Sequence, residues 1–149
     1  MSALRWSITA GLDVPRAWRE APSLAGVRAH RLVTGNFYLA GCITVLAGVV
    51  ALHGDLNRVP MTALGLLAGL AAVVILLRGD QPGRGLYHLL VAAGTLLITA
   101  EVLLAGGGTA SVAMGAIYAF PVIDALFLFP LREAALHLAF TAIVGAAAM

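Results

Sequence analysis

The sequence predicts an all-α fold, a polytopic transmembrane bundle of five helices, on three observations. Five apolar runs of 16 to 20 residues succeed one another with short polar turns between them, and such runs, at about 1.5 Å of rise per residue, match the roughly 30 Å hydrocarbon core of a bilayer. The chain is 61% hydrophobic and 11% charged, with a mean hydropathy of +0.98, outside the range of soluble domains. All nine basic residues are arginines, and they sit in the segments that flank the runs. The expected organisation is a cytoplasmic or interfacial segment over residues 1–33 and a transmembrane domain over residues 34–149.

Residues 1–33 are mixed in polarity, with Arg5, Arg16, Arg19, Arg28 and Arg31 near Trp6 and Trp18. Asp13 and Pro15 read as a helix start and Pro22 as its end, so a short amphipathic helix is expected over 15–21. Trp18 between Arg16 and Arg19 suits the headgroup layer, where an amphipathic ring and cations are both favoured.

The first span is expected over 34–52 and ends at His53, Gly54 and Asp55. The second, 59–77, places Gly65 and Gly69 four apart, a spacing that lets a neighbouring backbone come close. A polar loop from Arg78 to Gly85 leads into the third span, 86–105, which carries His88 near its start and Glu101 near its end. Gly106, Gly107 and Gly108 close it as a turn. In the fourth span, 111–129, Ser111, Gly115 and Ala119 form a small-residue stripe, and Pro121 removes one backbone hydrogen bond and kinks the helix. Pro130 to Glu133 turn the chain into a fifth run, 134–149. That run stops at Gly145, Ala146, Ala147, Ala148 and Met149 with no polar tail, so the chain is expected to be part of a longer one in which a sixth helix returns to the cytoplasm.

Orientation follows from the arginines. A cytoplasmic N-terminus puts eight of them inside, the five before the first span with Arg78, Arg84 and Arg132, and leaves Arg58 alone outside. Phe37, Tyr38, Tyr87, Phe127 and Phe129 all fall at the ends assigned to the cytoplasm. A multi-pass protein of the inner, plasma membrane is expected. This distribution accounts for the basic pI without nucleic acid as a partner. Cys42 has no second cysteine to pair with and reads as a small buried residue.

Ionisable side chains at membrane depth face protein or water rather than lipid, and two sets follow from their depths. His88, Asp124 and His137 lie near the cytoplasmic ends of the third, fourth and fifth spans and meet if those helices are adjacent. Two histidines and a carboxylate can ligate a transition metal, or the carboxylate can fix an imidazole tautomer; the competing reading is a hydrogen-bonded cluster that joins helices. Glu101, His53 and Arg58 form the outer set, a ligand-binding or sensing site on one reading and an interhelical ion pair on the other. Thr95 and Thr99 share the helix with Glu101, but Glu101 lies about 200° round the axis from Thr99. No nucleophile and base pair, phosphate-cradling loop or paired cysteines appear, so no catalysis and no cofactor are expected of this chain.

The segment HRLVTGNFYL from His30, the stretch HLLVAAGTLLITAEV from His88 and AIYAFPVIDALFLFPLREAALHLAF from Ala116 resemble the N-terminal membrane regions of actinobacterial diguanylate cyclases. Those regions precede a cytoplasmic GGDEF domain. The resemblance covers residues 30–149 and implies a sensory or anchoring module that regulates a cyclic-di-GMP-synthesising domain in cis, and a sixth helix; separately, a homo-oligomer, a dimer, in the lipid bilayer is expected. No GGDEF run is present here, and the resemblance carries no functional residue onto the membrane part. The alternative is a self-contained small membrane protein, a transporter or channel component, with Glu101 and Asp124 marking a polar path.

Overall fold

The computed structural model describes residues 24–52, 56–78 and 83–148. The helix expected over 15–21, Trp6, Trp18, His53, Asp55 and Gln81 lie outside the described residues. Six α-helices follow in order: α1 Leu24–Ala51, α2 Arg58–Leu77, α3 Arg84–Leu104, α4 Gly108–Gly115, α5 Ala119–Leu128 and α6 Leu131–Ala148. A 3₁₀ turn, Ala116–Tyr118, joins α4 to α5. Five spans are long and apolar enough to cross a membrane, α4, the turn and α5 together making the fourth.

Short connections force successive spans to run antiparallel. α1 and α2 form the most extensive pair, and α3 touches every other helix. The α1–α2 seam is close because α2 presents no side chain at two positions in it: a Cβ on Gly65 would lie 3.2 Å from Val45 Cγ1, and one on Gly69 2.9 Å from Cys42 Sγ. The two glycines thus do what their spacing predicts, and the free Cys42 is buried beneath them.

Apolar packing fills the interior in three places. Val45, Met61, Ile98, Val102 and Met114 pack at the end where α1 finishes; Tyr38, Cys42, Ala68 and Ala72 fill the α1–α2 seam; Tyr87, Val91, Ala125 and Phe129 close the opposite end. Meanwhile Val50, Leu66, Leu70, Leu89, Leu136 and Ile143 point outward and are exposed. That arrangement is costly against water and free of cost against lipid.

Three departures from the sequence reading have physical causes. α1 begins at Leu24, well before the apolar run, because its first turns are held by tertiary contacts that hydropathy does not register. His30 packs edge-on against Tyr87 and Phe127, and Arg31 donates to the carbonyl of Arg78. Pro121, lacking an N–H, leaves the Ile117 carbonyl without its i→i+4 donor, and the helix tightens into the 3₁₀ turn directly upstream. That turn advances about 120° per residue in place of about 100°, so the stripe of Ser111, Gly115 and Ala119 does not hold one face: Ser111 is buried and Ala119 exposed.

The turns are equally specific. Gly106, Gly107 and Gly108 all have positive φ, at 75°, 89° and 66°, a left-handed path that only glycine takes without strain. The Gly107 N–H donates to Ser111 Oγ at 2.9 Å, and Ser111 Oγ donates to the Val102 carbonyl at 3.1 Å, tying α4 back to α3. At the same end of the bundle Arg58 donates from Nη1 to the Val49 carbonyl at 2.8 Å and from Nη2 to the Leu52 carbonyl at 3.2 Å.

Candidate ligand pocket with two buried carboxylates

A narrow pocket of about 50 Å³ opens inside the bundle between α1, α3 and α5, with Ala68 of α2 on its wall. Its α3 side is built from Leu90, Gly94, Leu97, Ile98 and Glu101, spaced along one helical face. Opposite stand Phe37, Tyr38 and Gly41 of α1, with Phe120, Pro121 and Asp124 of α5. The room exists because side chains are missing or held aside. A Cβ on Gly41 would meet nothing within 4 Å, and the Tyr38 ring crosses α3 beside Gly94, where its hydroxyl donates to the Leu90 carbonyl at 2.6 Å. Phe37 and Phe120 stack at 5.8 Å and wall off one side.

Both acids are withdrawn from the surface, Glu101 and Asp124 each retaining 2% of their accessible area. Asp124 Oδ1 accepts from the Thr34 hydroxyl at 3.2 Å, a bond that runs from α5 to the first helix. Glu101 makes no side-chain hydrogen bond or ion pair with any described residue, and it faces the pocket. A buried carboxylate needs a counter-charge, hydrogen-bond donors or a proton; the described residues supply Asp124 with one donor and Glu101 with none.

Of the outer set, His53 lies outside the described residues, and Glu101 and Arg58 do not pair. Arg58 is committed to the last carbonyls of α1, and Glu101 turns inward. Thr95 and Thr99 face the other way, Thr95 meeting Thr141 of α6 at 3.3 Å and Thr99 meeting the Tyr118 hydroxyl at 2.8 Å. Neither lines the pocket, in keeping with their angle from Glu101 on α3.

At the opposite end His88 and His137 meet, Nδ1 to Nε2, at 2.8 Å. Phe129 stacks on both rings, at 4.0 Å and 5.0 Å. Glu133 joins them: its Oε1 pairs with Arg84 at 2.6 Å, and its Oε2 lies 3.2 Å from His88 Nε2. Asp124 does not belong to this group. Depth along the axis placed the three residues together, but depth leaves rotation open, and Asp124 turns toward α1, where Thr34 offers a hydroxyl. Among the described residues no three histidine, cysteine or carboxylate side chains are placed to hold a metal ion. The chemistry of the histidine pair is that of a half-exposed hydrogen-bonded contact between α3 and α6.

Thr34, Tyr38 and Phe120 were missed from the sequence as site residues. Thr34 and Tyr38 are four apart at the entry to the first span, a spacing that sets both on one face; that pattern is the signal that would have found them.

The fold and site define a multi-pass helical membrane protein with an internal, acid-lined pocket. Comparison with known protein families, characterised proteins and solved structures gives no match to this chain.

Proposed function

We propose that this chain is the membrane-embedded sensory and anchoring module of a diguanylate cyclase, with the pocket between Glu101 and Asp124 as its sensing site and a cyclic-di-GMP-synthesising domain following it in cis. The observation that carries the sensing role is Glu101, 2% exposed and without a side-chain partner among the described residues, facing a pocket that also holds Asp124. An uncompensated acid at membrane depth is expensive and marks function more often than support. Support for the output comes from the resemblance of residues 30–149 to membrane regions that precede GGDEF domains. The arginine asymmetry supports a cytoplasmic N-terminus at the inner membrane, and the expected sixth helix returns the output domain to that side after the five spans.

The pocket is formed by helices that diverge in the chain, α1, α3 and α5, so an occupant contacts all three at once. A ligand shifts an equilibrium only by binding one arrangement of those helices better than another. In the full-length parent, Glu101→Gln changes the response of cyclic di-GMP synthesis to the stimulus while expression and membrane insertion stay intact. An unchanged response, or a loss of output that tracks a loss of folding, overturns the sensing role.

A further inference from the structure

We infer that the pocket binds a short linear diamine, one ammonium group at Glu101 and the other at Asp124. This rests on the sensing role proposed above and names the class of ligand.

The two acids stand toward opposite ends of the pocket. On α3, Glu101 is eleven residues beyond Leu90, roughly 16 Å of helix rise. Leu90 is the level reached by the Tyr38 hydroxyl, and Asp124 is held by Thr34, one turn before Tyr38 on α1. Helical side chains lean toward their own N-terminus. Because α3 and α5 run in opposite directions, the two carboxylates lean toward each other along the pocket. The walls between them are Leu90, Gly94, Leu97, Ile98, Phe120 and Pro121.

That pattern, an acid at each end and an apolar middle, selects its occupant. Water is poorly held between apolar walls, since an internal water needs several polar partners. A single inorganic cation satisfies one carboxylate and leaves the other uncompensated. A linear diamine supplies two ammonium donors and lays a methylene chain along the apolar stretch, against the stacked faces of Phe37 and Phe120. No arginine or histidine lines the pocket to compete for the acids. The pocket, about 50 Å³ and partly open between the helices, excludes a drug-sized molecule.

The test is calorimetry on the whole 149-residue chain in detergent micelles, with putrescine and cadaverine as probes and butylamine and sodium chloride as controls at matched ionic strength. At least one diamine binds about tenfold or more tightly than butylamine, and Glu101→Gln and Asp124→Asn each bring it down to the level of butylamine. Gly41→Leu, which grows into open pocket space, abolishes binding while leaving the helical content and melting temperature of the chain unchanged. Equal binding of butylamine and the diamines, sodium binding that displaces them, diamine binding that survives Gly41→Leu, or no diamine binding at all overturns the inference. If the diamines fail while Glu101→Gln still alters cyclase output in the parent, the ligand class falls and the sensing role stands. If they bind and the parent's output does not respond to them, the sensing role falls and the site stands.

Discussion

The Thr34 hydroxyl donates to Asp124 across 3.2 Å in the interior of the bundle, and it is the only described side chain that does so. The bond fastens the first helix to the second half of the fourth span, on the side of the pocket remote from Glu101. Its loss leaves a buried carboxylate with no donor, which costs more than the bond itself is worth.

Thr34→Val therefore destabilises the bundle by about 1–3 kcal/mol, whereas Thr34→Ser keeps the donor and stays close to the wild type. Thermal unfolding in micelles, followed by circular dichroism, reads the difference. A Thr34→Val, Asp124→Asn pair that is additive in a double-mutant cycle would show that the contact carries no coupling.

At the α3–α4 turn, Gly107→Ala lowers stability by about 1–3 kcal/mol although the added methyl has open space around it. The cost is conformational, since Gly107 has φ 89° and ψ −175°, a region closed to side chains. A melting curve unchanged by this substitution would show that the turn relaxes freely.

In the α1–α2 seam, Gly69→Leu forces the helices apart against Cys42 and costs about 1–3 kcal/mol through overpacking. The substitution also uncovers Cys42, so its reaction with a small maleimide accelerates. Wild-type reactivity at Cys42 in a folded Gly69→Leu variant would sink the close-approach argument.

For orientation, single cysteines at Asn57 and Gln81 in a Cys42→Ser background are exposed to an impermeant maleimide on intact cells. Position 57 is labelled and position 81 is protected, as the arginine asymmetry requires. The reverse pattern overturns the assignment of the N-terminus to the cytoplasm.

The spans were legible because lipid imposes one rule on every helix, an apolar run of sufficient length, and that rule is written residue by residue. The seam at Gly65 and Gly69 was legible for a similar reason, since a four-residue spacing fixes a face. The pocket was not. Asp124 and Glu101 were visible as costly residues and their depths could be counted, but the direction each faces depends on rotation about the helix axis. In the fourth span that rotation is reset by three residues of 3₁₀ turn, and nothing in the hydropathy of Ala116, Ile117 and Tyr118 announces it. Thr34 was invisible for another reason: threonine is unremarkable in an apolar helix until a partner from the far end of the chain gives it one.

The grip of Arg58 on the end of α1 bears on how the chain sits in its membrane. The final carbonyls of a helix carry the negative pole of its macrodipole, and the guanidinium rests on two of them. Arg58 is the one arginine assigned to its side of the bundle, and the pole it rests on, equivalent to about half a negative charge, offsets part of its field. A count of charges registers Arg58 as one full positive charge, although part of that charge is answered from within the protein.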